Sequence, residues 1–315
     1  MKILHLITRL ILGGAQENTV LSCLGQAEAG HEVTLAFGPI YGPEGSLRDR
    51  VNDSPVLAVE LPALVRPLHP IKDIVGYRQC RRLIDELQPD VVHTHSSKAG
   101  ILGRLAARRR RVPAIVHTIH GLPFHPYQSG WRNAIFVRAE RTAAQQCDAI
   151  VSVADAMTTQ ALAAGVGRPD QYRTIYSGME VDAYRRSPDD RQATRAELGI
   201  AEDETVIGTV ARLAELKGHD DLLDVLAALF DTAPRLKLLW VGDGWWRKRL
   251  TERIDAMGFA DRVVMTGLVP PEQVARHLRA MDVLVHPSYR EGLARTLPQA
   301  LLSGVPVVSY DCDGA

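Results

Sequence analysis

The chain has 315 residues, with 37 Lys plus Arg against 37 Asp plus Glu, and 46% of its residues are hydrophobic. At about 100–200 residues per domain this length favours two domains with real cores, and a formal charge of zero counts against a nucleic-acid partner held by wholesale phosphate neutralisation. The four cysteines, Cys23, Cys80, Cys147 and Cys312, form no CxxC pair, so neither a disulfide framework nor a thiolate zinc site is indicated, and a reducing, cytoplasmic compartment is the simplest reading.

The opening run, residues 1–8, is apolar too briefly for a signal segment before Arg9 interrupts it, and it reads as a first strand. No stretch approaches the roughly 18 uninterrupted apolar residues of a membrane span. Runs rich in Val, Ile and Leu then alternate with helical patterns, the signature of βαβ units and parallel sheets. Strands are predicted at 2–8, 32–37, 56–61, 91–94, 114–119, 149–153 and 173–176. Between them the 3.6 period predicts a helix over 74–87, with Ile74, Tyr77, Cys80, Leu83, Ile84 and Leu87 as its apolar stripe. A polar, turn-rich stretch from Ser177-Gly178 to Ser187-Pro188-Asp189-Asp190 marks a boundary, giving domains 1–180 and 181–315. Past it, strands are predicted at 206–210, 236–241, 263–266, 283–286 and 305–309, and a helix over 219–230 with Leu222, Leu223, Leu226, Leu229 and Phe230 inward. The fold class is α/β, two doubly wound parallel-sheet domains, with ligands expected at the carboxyl ends of the strands. Residues 305–315 read as a buried strand running into a loop, so the chain reads as a fragment.

Gly13-Gly14 follows the first strand and opens a helix, where backbone N–H groups and the positive helix end suit an anion. A tight strand-to-helix turn explains the pair equally well. Neither Gly13-Gly14 nor Gly242-Asp243-Gly244 completes the GxGxxG fingerprint. In 210–218 a strand ends at Ala211, and Arg212 and Lys217 flank a short loop closed by Gly218. The planar fork of an Arg and the compact charge of a Lys together suit a diphosphate, against the plainer alternative of two solvated cations. In 286–300 a strand delivers Glu291, Gly292 permits a sharp turn, and a helix follows. A carboxylate beside an anion-binding helix end suits a ligand with hydroxyls and phosphates; a first-turn surface carboxylate is the plainer alternative.

His93-Thr94-His95 and His117-Thr118-Ile119-His120 end consecutive strands. Imidazoles converging from neighbouring strands suit zinc, but no Asp, Glu or Cys clusters beside them, so no metal is expected. His120 reads as a hydrogen-bonding group at the crevice or as a packed core histidine. Arg104 and the run 108–111 read as solvated cations at a helix C-terminus. The segment from Pro123 through Tyr127 and Trp131 to Arg132, Arg138 and Arg141 mixes aromatics with cations, which suits peripheral contact with an anionic membrane, or ordinary packing of Trp131 and Phe136. Trp245-Trp246 has no account from sequence.

Together these residues resemble the retaining nucleotide-sugar glycosyltransferases of family 4, whose GT-B fold comprises two Rossmann-like domains. The resemblance runs in order from Gly13-Gly14 through the His-x-His and His-Gly segments to Arg212 and Lys217, residues 241–244 and Glu291, essentially the whole chain, and it implies further helices after Ala315. It implies transfer of a sugar from a nucleotide diphosphate-sugar donor to a saccharide or lipid-linked hydroxyl acceptor, as in cell-envelope polysaccharide or glycolipid synthesis. By the same resemblance, Arg212 and Lys217 bind the donor diphosphate and stabilise the leaving group, and Glu291, the first Glu of an E-x7-E motif, contacts the sugar hydroxyls. The amides of Gly292, Leu293 and Ala294 face the sugar or diphosphate, His120 lies near the reacting centre, and Gly13 and Gly14 lie beside the phosphates. The second Glu of the motif is Gln299 here, which keeps a carbonyl acceptor for the ribose but loses the charge. A front-face route, in which the departing phosphate takes the acceptor proton, requires no protein nucleophile, cofactor or metal. The alternatives are a nucleotide-sugar 2-epimerase of the same fold and a non-catalytic sugar-binding scaffold.

Overall fold

The computed structural model describes residues 1–41, 44–185 and 190–315. It divides into two compact units, Met1–Met179 and Glu180–Asp313. Of the polar stretch expected to join the domains, residues 186–189 lie outside the described residues.

The first unit runs β1 (Lys2–Arg9), α1 (Gly14–Glu28), β2 (Glu32–Gly38), α2 (Arg48–Asn52), β3 (Leu57–Glu60), α3 (Pro70–Leu87), β4 (Val91–His95), α4 (Ser97–Arg109), β5 (Ala114–Ile119), α5 (Gly130–Ala144), β6 (Ala149–Ser152), α6 (Asp155–Ala163) and β7 (Tyr172–Thr174). Among the described residues its strands form one parallel sheet in the order β3-β2-β1-β4-β5-β6-β7. Because side chains alternate across a strand, β1 feeds two cores: Leu4 and Leu6 pack with Leu83, Ile84 and Ile115, while Ile3 and Ile7 pack with Val20, Cys23 and Leu35. α3 starts four residues before the apolar stripe does, because Pro70 occupies its first turn and the His69 side chain accepts from the Lys72 amide at 3.3 Å. Cys80, Leu83 and Ile84 are buried as the period predicts, but Ile74 is exposed.

Arg104 corrects the reading of the basic cluster. It lies on the inner face of α4 with Gly100 and Ala107, fully buried, where its Nε donates to the Gly100 carbonyl at 2.8 Å and its Nη2 to Glu140 Oε2 at 2.6 Å. The solvated cations are the residues after the helix turns outward, 108–111.

The second unit runs α7 (Asp182–Arg185), α8 (Asp190–Glu197), β8 (Thr205–Val210), α9 (His219–Thr232), β9 (Leu236–Val241), α10 (Arg247–Ala256), β10 (Val263–Met265), α11 (Val274–Arg279), β11 (Val283–His286), α12 (Thr296–Leu302) and β12 (Val307–Ser309). Its described strands form a parallel sheet in the order β10-β9-β8-β11-β12. Leu222, Leu223, Leu226 and Phe230 of α9 pack on Leu238 and Trp240, whereas Leu229 is 40% exposed and falls outside the expected stripe. In each sheet the strand order reverses once, between β1 and β4 and between β8 and β11. The loops leaving the carboxyl ends of those strands diverge, which opens a place for a ligand.

Candidate functional site

At the reversal in the second unit, the loop after β8 carries Arg212, Lys217 and Gly218, and the loop after β11 carries Glu291 through Ala294. Backbone contacts tie the two loops together. The Tyr289 amide donates to the Leu216 carbonyl at 2.9 Å and the Ser288 hydroxyl to the same oxygen at 3.2 Å. Leu216 and Gly218 both have positive φ, 64° and 70°. Any Cβ at Gly218 would stand 1.9 Å from the Pro287 carbonyl oxygen, so only glycine lets the chain pass this close. On its other flank the Arg212 loop rests on residues 242–244. Cβ atoms at Gly242 and Gly244 would lie 2.2 and 2.3 Å from the Ala211 and Leu213 carbonyl oxygens. Those two glycines therefore support the loop by close packing.

This scaffold joins Lys217 to Glu291 across 74 residues of sequence, with Nζ 2.5 Å from Oε1. The same oxygen accepts from His286 Nε2 at 2.9 Å, and the Glu291 amide donates to Asp313 Oδ2 at 2.9 Å. Burial works to raise the Glu291 pKa, but the His286 hydrogen bond and the Lys217 charge outweigh it and hold the carboxyl at about 2. Lys217 is thus a half-buried, oriented ammonium rather than a solvated cation, while Arg212 is exposed. Gly292 and Leu293 are half-buried; Ala294, two residues before α12, and Gln299, within it, are buried. His286 escaped the sequence reading although it is the last residue of β11, five positions before the carboxylate it orients. Asp221 escaped as well. Its Oδ2 accepts from the hydroxyls of Tyr289 and Tyr310, which fastens the first turn of α9 to the Glu291 loop.

At the reversal in the first unit, α1 opens at Gly13, a residue with no side chain to cap the helix. A Cβ at Gly13 would meet only the movable end of Gln16, at 2.8 Å, so the fold itself makes little demand for glycine there. The ends of β1 and β4 are held by Thr8 and Ser96, whose hydroxyls lie 2.8 Å apart. His120 sits just past β5 with Nε2 3.0 Å from His95 Nδ1. His93 and His117 are engaged with Thr118 at 2.7 Å and Thr94 at 2.9 Å.

Residues 13–178 match the family described as Glycosyl transferase 4-like domain, and residues 190–315 the family described as Glycosyl transferases group 1. The chain belongs to the glycosyltransferase 4-like family. Among relatives of this glycosyltransferase, the UDP-Gal:alpha-D-GlcNAc-diphosphoundecaprenol alpha-1,3-galactosyltransferase of Escherichia coli is 26% identical over 317 residues, covering 100% of this chain and 80% of that protein. A D-inositol 3-phosphate glycosyltransferase of Geodermatophilus obscurus is 32% identical over 243 residues, 71% of this chain and 52% of the relative. The fold is that of GT-B enzymes. Anabaena Alr3699/HepE, solved with UDP and glucose, superposes with a TM-score of 0.82 at 23% identity, covering 100% of this chain and 82% of the other. The lipopolysaccharide glycosyltransferase WaaG gives 0.78 at 18% identity, with 100% and 82% covered.

On the outside of this glycosyltransferase, Trp131 is 64% exposed at the start of α5, with Tyr127 and Ile135 also exposed and the Arg132 guanidinium 5.3 Å from the Trp131 ring. Ordinary packing therefore does not account for Trp131. Trp246 is half-buried, with the Arg249 guanidinium 4.5 Å over its ring, and Trp245 is exposed. Among the described residues no helix is long and apolar enough to cross a membrane.

Proposed function

We propose that this glycosyltransferase moves a sugar from a nucleotide diphosphate donor to a hydroxyl of a saccharide or lipid-linked acceptor, retaining the anomeric configuration. The observation that carries the reading is the Lys217–Glu291 pair at the strand-order reversal of the second unit. Arg212 and Lys217 place positive charge where the diphosphate gains negative charge as the glycosidic bond breaks. Because Glu291 and the Leu216–Tyr289 contact already fix the ammonium, little reorganisation is needed at that moment. Glu291, ionised throughout the physiological range, accepts from donor sugar hydroxyls. The amides of Gly292, Leu293 and Ala294 complete the donor contacts, Gln299 accepts from the ribose, and Gly13 and Gly14 at the start of α1 lie beside the phosphates. His120 acts at the donor sugar. The departing phosphate takes the acceptor proton, so the route uses no protein nucleophile, cofactor or metal.

The names of the relatives favour a uridine diphosphate sugar as donor. A lipid-linked acceptor fits the diphosphoundecaprenol-linked substrate named for the Escherichia coli relative. It also fits the exposed Trp131, Tyr127 and Ile135 beside Arg132 and Arg138, a surface suited to peripheral contact with an anionic cytoplasmic membrane face. The test is release of nucleotide diphosphate and labelled product from a panel of nucleotide sugars with lipid-linked and free saccharide acceptors. Lys217→Ala is expected to lower turnover by about a hundredfold or more in a protein that still folds, as circular dichroism reads, and near-normal transfer by that variant overturns the assignment. Donor incubated alone separates transfer from 2-epimerisation, which would yield an isomerised nucleotide sugar.

A further inference from the structure

The first unit holds a histidine cluster that the proposed chemistry leaves unused. β1 and β4 pair with His5 opposite His93, and His95 lies two residues further on the same face. The three rings stand 4.3 to 5.2 Å apart. Their ligand nitrogens fall within 4.8 Å of one another, the outline of a metal triad. One spacing argues against it. His5 Nδ1 lies 2.9 Å from His95 Nε2, closer than the about 3.3 Å kept by two ligands of one tetrahedral zinc at ordinary bond lengths. It is a normal N–H···N hydrogen-bond distance.

The bond is one link of a longer chain. Gln26 Oε1, from α1, lies 2.7 Å from His5 Nε2; His5 Nδ1 meets His95 Nε2 at 2.9 Å; His95 Nδ1 meets His120 Nε2 at 3.0 Å. Burial keeps His5 and His95 neutral, and a neutral imidazole has one donor and one acceptor nitrogen. The direction set at one end therefore sets every proton. The Gln26 carbonyl accepts, so His5 carries its proton on Nε2. His5 Nδ1 then accepts from His95 Nε2–H, and His95 Nδ1 accepts from His120 Nε2–H.

We propose that Gln26, His5 and His95 are positioning residues that fix the ring of His120 and keep a proton on its Nε2, directed at His95. The consequence for catalysis rests on His120 acting at the donor sugar. There the relay holds the ring in one orientation, with its Nε2 proton directed at His95.

Long-range proton–nitrogen spectra of the full chain labelled with ¹⁵N-histidine test this, with the His120 signals assigned by their loss in His120→Gln. The expected pattern is an Nε2–H tautomer at His120. Gln26→Leu should convert it to a mixture of tautomers and lower kcat by about tenfold or more, and Gln26→Glu, which keeps an acceptor in place, should restore both. An Nδ1–H tautomer in the unaltered protein, or a His120 spectrum indifferent to Gln26→Leu, overturns the proposal. One equivalent of zinc retained after dialysis against zinc chloride, with the His5 and His95 signals shifted, overturns it in favour of a metal centre. Because the tautomer is read without turnover, the expected spectra in a protein that transfers no sugar would support the relay while failing the functional reading.

Discussion

Gln299 stands where the resemblance expects a carboxylate, and its burial at 6% exposure shapes what the exchange means. A carboxylate at that depth carries a desolvation cost that an amide avoids, while an amide oxygen keeps the capacity to accept from a hydroxyl. One neutral hydrogen bond is worth about 1 kcal/mol, so Gln299→Ala is expected to weaken donor binding about five- to tenfold, with kcat much less affected. Calorimetric titration with nucleoside diphosphate reads this directly, and unchanged affinity removes Gln299 from the donor site. Glu291 is the contrasting case. It is also largely buried, yet it keeps its charge because His286 and Lys217 converge on one oxygen. Two carboxylate positions eight residues apart in one motif thus meet burial in different ways, one by pairing and one by losing the charge.

At the scale of elements, the loops that carry Lys217 and Glu291 depend on a few close approaches between backbones. Gly218 combines a φ of 70° with the Pro287 carbonyl in the space of a side chain. Gly218→Ala should therefore cost about 1–3 kcal/mol, since neither the strain nor the clash can relax without separating the two loops. A melting temperature lower by several degrees, together with a fall in transfer rate as Lys217 leaves Glu291, is the expected result; a variant with unaltered stability and rate shows that the loops are not so coupled. The same elements show how much was legible in the sequence. Strands rich in Val, Ile and Leu stand out from the helical and turn segments around them, and β5, β9 and β11 match their predicted bounds. The start of α3 was missed because Pro70 and His69 act through backbone chemistry and not through apolar period. Arg212, Lys217 and Glu291 could be picked out because each sits in a short local pattern after a strand. The contacts that hold them could not, because His286 is a β-strand terminus, Asp221 reaches Tyr289 and Tyr310 from another helix, and pairing of Leu216 with Tyr289 depends on strand order rather than on sequence distance. Arg104 was misread for a related reason: a cation four residues before a basic run looks like part of it until the packing of α4 on α5 is seen. Gln26 and His5 gave no signal at all, being a helix glutamine and a strand histidine with nothing local to link them.

For the molecule as a whole, the buried histidines make stability depend on pH more steeply than the balanced net charge suggests. Burial lowers His5 to about 4, and it lowers His93, His95 and His117 well below the ordinary value, with neighbouring imidazoles adding to the effect and Arg104 adding to it at His117. In the unfolded chain each titrates near about 6.5. Between those limits the unfolded state binds protons that the folded state refuses, so the stabilisation is complete above about pH 6.5 and is lost as the pH falls toward about 4. The second unit follows a different course. His219, lowered to about 4 by burial, and His277, lowered mainly by burial, titrate in the same window, but the carboxylates Glu291 and Asp282, depressed by their hydrogen-bonding and charged partners against the effect of burial, lose their contribution only at lower pH. Among the described residues four strongly depressed histidines lie in the first unit against two depressed in the second, so acidification should loosen the first unit sooner. Proteolysis of the full chain in urea from about pH 7.5 to about pH 4.5, with peptides from each unit followed by mass spectrometry, should show first-unit peptides released at falling urea concentration while second-unit peptides shift less. Equal shifts in both units would show that the buried histidines do not set the acid limit. His95→Phe, which removes one titrating ring from the cluster, should flatten the first unit's dependence even where it lowers stability at neutral pH.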